Sequence, residues 1–243
     1  MQFETGKTLS IIVATYNSKE TIERALISIL TNKPIWLELV VKDGGSDDGT
    51  LKILEKYKSK IDFLISENDS SLYEALNIGT QTATGKYVFY MGSDDILISH
   101  SLLKVFPLLL EGKGSLLTLP VVINGNHKME PDVSLPVPIV HHQGAIFNRL
   151  FVNKLGGYSS AFHVYSDFDL IARYTCQYGV RYADIPICNF SSGGISNNGL
   201  KSFSSLKELY RIYFKNGGRF FSKKWLLFTV RIIYYAIKGK SSR

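Results

Sequence analysis

Residues 37–50 read Leu-Glu-Leu-Val-Val-Lys-Asp-Gly-Gly-Ser-Asp-Asp-Gly-Thr, an apolar run that stops at an acidic, glycine-rich turn. Leu37–Val41 has the length and β-branched content of a strand buried on both faces, and Thr50–Lys58 beyond the turn reads as a helix. The same grammar recurs around it. Upstream, Leu9–Ala14 is a second buried strand ending in Thr15-Tyr16-Asn17. Asn17 and Glu20 have capping-box spacing, and Ile22, Ala25, Leu26, Ile29 and Leu30 then fall on one helical face. Downstream, Ile61–Ile65 and Tyr87–Met91 read as strands with a helix over Leu72–Thr80 between them. Strands alternating with amphipathic helices predict an α/β fold built on a mostly parallel sheet. In such sheets functional side chains gather at the carboxyl ends of the strands. Thr15-Tyr16-Asn17, Asp43-Gly44-Gly45 and Ser93-Asp94-Asp95 all fall there and are expected to converge on one crevice.

The second half is more β-like. Ser115–Ile123 leads into Asn124-Gly125, a hairpin turn pair. Ser166–Tyr178 reads as a helix, Arg181–Phe190 as a strand and the glycine-rich Ser191–Gly199 as a mobile loop. Lys201–Phe214 and Ser222–Ile237 read as two further helices. At 243 residues the chain suits one α/β domain, residues 1–200, with a C-terminal basic helical extension, residues 201–243.

Charge separates those two parts. Residues 201–243 hold eleven Lys and Arg against Glu208, a net +10, which leaves residues 1–200 at −3. Lys223, Lys224, Arg231, Lys238 and Lys240 flank or interrupt Trp225–Phe228 and Ile232–Tyr235, an apolar run too short and too broken to span a bilayer. Two readings of residues 220–243 stay open: an interfacial helix drawn to anionic lipid, or a helix packed on the domain with solvated lysines. Cys176 and Cys188 form no CxxC pair, so two reduced, buried thiols are expected. The opening residues lack the pattern of a secretory signal, which points to a cytoplasmic protein, or one peripheral on the inner face of the cell membrane.

The acidic turn at 43–49 is neither an EF-hand, whose glycine and final glutamate are replaced by Asp48 and Leu54, nor a P-loop, which needs Gly-Lys-Ser/Thr. It is either a tight strand-to-helix turn capped by Asp and Ser or a nucleotide contact through Asp43. Asp94 and Asp95 offer the oxygen ligands that Mg²⁺ or Mn²⁺ prefers, with a helix N-cap as the alternative use of Ser-Asp-Asp. Thr15-Tyr16-Asn17 stands where a dinucleotide-binding oxidoreductase would need Gly-x-Gly-x-x-Gly. No nucleic-acid-binding module accompanies the basic tail, so nucleic acid is not an expected partner.

Taken together and in order, Thr15-Tyr16-Asn17, VVKDGGSDDGT at 40–50, SENDSSLYEALNIG at 66–79 and TGKYVFYMGSDD at 84–95 closely resemble family 2 glycosyltransferases of the GT-A fold. The resemblance spans roughly residues 8–195. It implies a GT-A type nucleotide-binding sheet flanked by helices and an inverting transfer of sugar from a nucleoside-diphosphate donor, UDP-linked by first expectation. It implies Mg²⁺ or Mn²⁺ as cofactor and a saccharide or lipid-linked acceptor, as in cell-surface polysaccharide or glycolipid assembly. By the same resemblance, Thr15, Tyr16, Asn17, Asp43, Gly44 and Asp69 border the nucleotide, and Asp94 with Asp95 holds the metal. HHQGAIF at 141–147 resembles the segment bordering donor sugar and acceptor, pointing to His142 and Gln143. YSDFDLIAR at 165–173 resembles the segment carrying the catalytic base, pointing to Asp167, with Asp169 and Arg173 as structural helix residues. Gly92 departs from the Asp or Asn that many relatives carry there. The alternative to an active transferase is a catalytically inactive nucleotide-sugar binding protein.

Overall fold

The computed structural model describes residues 6–112, 114–133, 138–191, 203–216, 225–226 and 229–230. The first half forms β1 (Leu9–Thr15), α1 (Ile22–Leu30), β2 (Leu37–Asp43), α2 (Thr50–Tyr57), β3 (Phe63–Ser66), α3 (Leu72–Thr82) and β4 (Tyr87–Gly92). There follow β5 (Ile96–Leu97), α4 (Ser101–Glu111), β6 (Leu116–Thr118), β7 (Val121–Ile123), β8 (His127–Met129), β9 (Ala145–Asn148) and α5 (Arg149–Lys154). The last elements are α6 (Ser166–Tyr178), β10 (Val180–Tyr182), β11 (Cys188–Phe190) and α7 (Phe203–Lys215).

A seven-stranded sheet runs β10-β6-β9-β4-β1-β2-β3. Every residue of β1 and β2 is buried, as strands covered on both faces require, and the polar exceptions are paired within the fold, as Glu38 is by the Ser10 hydroxyl and the Thr84 N–H. Alternate β1 residues feed opposite cores. Leu9, Ile11 and Val13 meet Ile22, Leu26 and Ile29 of α1, while Ile12 and Ala14 meet Ala75 and Leu76 of α3. Each of the Leu, Ile and Val side chains among them contributes about 1.5–3 kcal/mol on burial. The register pairs Thr15 with Asp43, Ala14 with Gly92 and Asp43 with Ser66, so four parallel strands end level at one edge.

The expected α/β class is the one observed, and several local expectations change. The seven-stranded sheet is mostly parallel, as expected, with β9 alone antiparallel to its neighbours β4 and β6. The strand expected over Arg181–Phe190 is two short strands in different sheets. β10 closes one edge of the large sheet, whereas β11 joins a four-stranded sheet, β5-β11-β7-β8. Residues 183–187, with Ala183 and Ile185 packed against the core, carry the chain between the two. Asn17 does not form a capping box. It adopts a left-handed backbone with φ 45°, its side chain accepts from the Asp47 N–H at 3.0 Å, and α1 starts after Thr21 with no side-chain cap. Cys176 is exposed and only Cys188 is buried. Residues 192–199, read as a mobile loop, and most of the helix expected over 222–237 lie outside the described residues.

Candidate active site

Backbone and hydroxyl contacts knit three loops together at the level edge of the sheet. Gly44 N–H donates to the Thr15 carbonyl at 2.9 Å, Asn17 N–H to Ser46 Oγ at 2.8 Å, and Ser18 N–H to Thr50 Oγ1 at 2.8 Å. The hydroxyls of Ser18 and Ser93 meet at 2.7 Å, tying the loop after β1 to the loop after β4. Asp43 is fully buried. Its Oδ2 accepts from Gly45 N–H and Ser46 N–H, each at 3.0 Å, and from Ser66 Oγ at 2.8 Å, while Oδ1 accepts from Ser46 Oγ. Asp43 therefore shapes the turn from within. The outward-facing groups are its neighbours: Tyr16 is 63% exposed, and a methyl group on Gly44 would sit 3.3 Å from that ring. Thr15 Oγ1 is buried without a hydrogen-bond partner, a cost of roughly 1–3 kcal/mol that a bound polar group would relieve.

Lys42 was not singled out from the sequence, yet its side chain is wholly buried inside this edge. Its Nζ donates to the carbonyls of Asp43 and Glu67 at 2.8 and 2.6 Å and pairs with Asp69 at 2.9 Å. Asp69 Oδ2 in turn lies 2.9 Å from where a Gly44 Cβ would be, so only glycine admits that approach. The signal was present in the sequence as a cation next to Asp43 in a mostly apolar strand.

After β4, Asp95 is fully buried and accepts from Gly92 N–H at 2.8 Å and Ser191 N–H at 3.2 Å, with Gln143 also donating to it. Burial pushes its carboxyl up to about 6. Asp94 is partly exposed and, among the described residues, has no ion-pair partner. A Cβ on Gly92 would lie 2.8 Å from Asp94 Oδ1 and 3.0 Å from Asp95 Oδ2, so the bare glycine lets both carboxylates fold back over the strand end.

Gln143 and His142 share a 3-10 turn, His142–Gly144, that leads into β9. His142 stacks on Tyr90 and its Nε2 meets Tyr158 Oη at 2.6 Å. Desolvation holds its imidazole down to about 3, so the ring is neutral at physiological pH. Tyr158 stacks on Tyr73 of α3. Tyr73 Oη donates to the Val164 carbonyl at 2.6 Å and reaches Asp167 Oδ1 at 3.4 Å. Burial pushes the Asp167 carboxyl up to about 6, although Phe168 N–H donates to it at 2.8 Å. Contacts thus run without a break from Asp95 through Gln143, His142, Tyr158 and Tyr73 to Asp167. Asp169 lies apart, fully buried, bound to Arg173 Nε at 2.7 Å and Lys215 Nζ at 3.3 Å.

The sequence model described as Glycosyl transferase family 2 matches residues 10–166, more than half of the chain. The chain belongs to glycosyl transferase family 2. This glycosyltransferase is 27% identical over 201 residues to a PGL/p-HBAD biosynthesis glycosyltransferase of Mycobacterium bovis, covering 77% of this chain and 78% of that protein. It is 30% identical over 146 residues to the UDP-Glc:alpha-D-GlcNAc-diphosphoundecaprenol beta-1,3-glucosyltransferase of Escherichia coli, covering 60% and 55%. Among solved structures it matches TarS residues 1–349 of S. aureus in complex with UDP at a TM-score of 0.71 and 19% identity. It matches the mannosyltransferase PcManGT of Pyrobaculum calidifontis, in complex with GDP-Man and Mn2+, at 0.67 and 18%. The matches cover 86% and 85% of this chain but only 65% of each solved chain, and at these identities they show the GT-A fold alone. Within that fold, the glycosyltransferase brings Thr15, Tyr16, Asn17, Asp43, Gly44 and Asp69 together at the ends of β1–β3. Asp94 and Asp95 lie after the adjacent β4, and His142, Gln143 and Asp167 join them through the aromatic contacts.

Proposed function

We propose that this glycosyltransferase is an inverting, divalent-metal-dependent enzyme that moves a sugar from a nucleoside diphosphate to a hydroxyl of a saccharide or lipid-linked acceptor. The observation that carries the reading is the unbroken run of contacts from the acidic pair after β4 to Asp167 at the start of α6. It links a candidate diphosphate end to a carboxylate whose proton affinity suits general-base work near neutral pH.

The nucleoside end lies against the exposed Tyr16 ring, Asn17, the unpartnered Thr15 hydroxyl and the Gly44 backbone, with Asp43 and Lys42 holding the turn and Asp69 in place. The residues after β4 fit Mg²⁺ or Mn²⁺: Asp94 is an accessible carboxylate, and the glycine at 92 leaves room beside it. With Asp94 and Asp95 at this edge, substrate phosphate and water would supply the remaining ligands of such an ion. When bound, the ion neutralises charge developing on the diphosphate leaving group. Asp167 takes the acceptor hydroxyl's proton as the new carbon–oxygen bond forms and the bond to diphosphate breaks, which is worth about 10²- to 10⁴-fold. Attack on the face opposite the diphosphate inverts the anomeric centre. His142, neutral and fixed on Tyr90 and Tyr158, walls the sugar side, and Gln143 braces Asp95.

Donor class is supported by relatives. The E. coli relative is named for UDP-glucose, and the solved neighbours hold UDP, UDP-GlcNAc and GDP-Man. Calorimetry with UDP-glucose, UDP-N-acetylglucosamine and GDP-mannose, with and without Mn²⁺, tests the reading when combined with release of free sugar. A UDP-sugar should bind best, more tightly with Mn²⁺, and hydrolyse slowly. Binding without hydrolysis or transfer would favour an inactive nucleotide-sugar binding protein, and no binding of any of the three would end the proposal.

A further inference from the structure

The segment before α6 receives a contact from far along the chain. Both carboxylate oxygens of Glu208, on α7, accept from three successive backbone N–H groups: His163 at 3.1 Å, Val164 at 3.1 Å and Tyr165 at 3.2 Å. α6 has no cap of its own, since Tyr165 at its N-terminus makes no side-chain cap bond. On the opposite side, Tyr73 of α3 holds the carbonyl of the middle residue, Val164, and touches Asp167. Residues 163–165 are therefore gripped from both sides immediately before Asp167.

The rest of α7 fixes Glu208 in that position. Leu209, Ile212 and Tyr213 are buried against Phe162, Tyr165, Phe168 and Ala172. The Arg211 guanidinium lies over the Phe162 ring at 5.5 Å. At the other end of α7, Lys215 reaches Asp169 on α6 at 3.3 Å. Three N–H groups in a row attract an anion, and an ionised carboxylate makes hydrogen bonds about twice as strong as a neutral acceptor. No apolar packing contact would need a carboxylate at position 208.

We infer that Glu208 is a positioning residue for catalysis, and that α7 belongs to the catalytic unit because it clamps the loop that aims Asp167. The inference rests on Asp167 being the base. It draws the catalytic unit to at least Lys215, and leaves the residues after α7 as the extension.

Glu208→Ala and Glu208→Gln, each in the full chain, test it by two independent readouts. The first is hydrogen–deuterium exchange of the amides at 163–165. The second is hydrolysis of whichever of UDP-glucose, UDP-N-acetylglucosamine or GDP-mannose the wild type turns over, with affinity for the matching UDP or GDP. Glu208→Ala should lose protection over 163–165 and lower kcat on the order of 10- to 100-fold, since a misplacement of about 1 Å costs that much. Donor KM and nucleotide affinity should stay within about twofold, because the contacts described for α7 run to α6 and the segment before it. Glu208→Gln, which keeps one acceptor oxygen, should recover most of the rate. Unchanged exchange and kcat in Glu208→Ala would overturn the inference, as would a parallel loss of nucleotide affinity and kcat, which would mark a general structural role. Asp167→Asn run alongside separates the two readings. If it keeps the wild-type rate, Asp167 is not the base, and the exchange data alone then decide whether Glu208 clamps the loop.

Discussion

Asp167 and Asp169 leave α6 about 200° apart, as two positions along a helix require, and their surroundings give them opposite uses. Asp169 meets Arg173 and Lys215 and has no exposure. Arg173 extends the same tie to the carbonyls of Leu155 and Gly157. Asp167 instead faces the phenols of Tyr73, Tyr158 and Tyr165, with Glu208 beyond the loop, and burial dominates its protonation. Its folded-state pKa of about 6 exceeds the ordinary 3.8. The tighter proton binding stabilises the fold below about pH 4 and is lost as pH rises through about 6, so the ionised group is a burden at neutral pH. Asp167→Asn should therefore melt about 2–4 °C higher than wild type near neutral pH, for a gain of about 1 kcal/mol after solvent screening, and show no gain near pH 4. The same variant should lose 10²- to 10⁴-fold in transfer, and wild-type transfer should fall as pH drops below about 6. Asp169→Asn should do the reverse. It strands two cations and should cost about 3 kcal/mol, or roughly 6–12 °C, with transfer per folded molecule retained. Calorimetric melting across pH with a parallel transfer assay checks both, and an Asp167→Asn enzyme with wild-type turnover would remove that residue from the chemistry.

At the level of elements, the end of β4 depends on what Gly92 lacks. Gly92→Ala would place a methyl 2.8 Å from Asp94 Oδ1 and 3.0 Å from Asp95 Oδ2, closer than real contacts allow, so one carboxylate must turn away. Asp95 is held by two backbone N–H groups and Asp94 by none among the described residues, so Asp94 should move. The expected result is a nearly unchanged melting point with loss of most of the Mn²⁺-dependence of nucleotide affinity, read by calorimetry with and without the ion. Retained dependence would place the metal away from Asp94. The limits of sequence reading show in the same elements. β1, β2 and β4 were legible because strands covered on both faces are mostly apolar, even though β2 buries Glu38 and Lys42, and their terminal motifs were legible because loop chemistry is local. Asn17 misled because its side chain answers Asp47, thirty residues away, and not its own helix. The break between β10 and β11 was legible in principle, since Asp184 and Pro186 interrupt residues 181–190, but which sheet each half joins is set by partners distant in the sequence. Lys42 and Glu208 were missed for one reason: each acts through backbone groups brought near only by the fold.

Across the whole molecule, charge is distributed against the fold. Residues 1–200 carry −3 and hold every candidate site residue, while residues 201–243 carry +10. Within that tail α7 is engaged with α6, and residues 220–243 contain six basic residues and no acid. Among the described residues no helix is long and apolar enough to cross a membrane. A surface of anionic lipid is the partner that this composition suits, and it would also bring the enzyme to a lipid-linked acceptor. At about 1 kcal/mol per basic residue near such a surface, the attraction is on the order of 6 kcal/mol, an apparent dissociation constant of roughly 10⁻⁴–10⁻⁵ M. Docking of that strength would be reversible. Screening sets its salt dependence, since the Debye length shrinks from about 8 Å at physiological salt to about 3 Å at 1 M. The full chain should thus sediment with vesicles containing phosphatidylglycerol at low salt, release from them as salt rises, and ignore vesicles of phosphatidylcholine alone. Deleting residues 220–243 takes Trp225 away from Leu209 and Tyr213 and Thr229 away from the Tyr210 hydroxyl, but it keeps α7 packed on α6 and the Glu208 contact with residues 163–165, so the shortened enzyme should stay folded, keep hydrolysing its nucleotide sugar in solution and lose vesicle binding. If the deletion unfolds the chain, the tail is part of the packed domain. If binding survives high salt or extends equally to neutral vesicles, charge is not what holds it there.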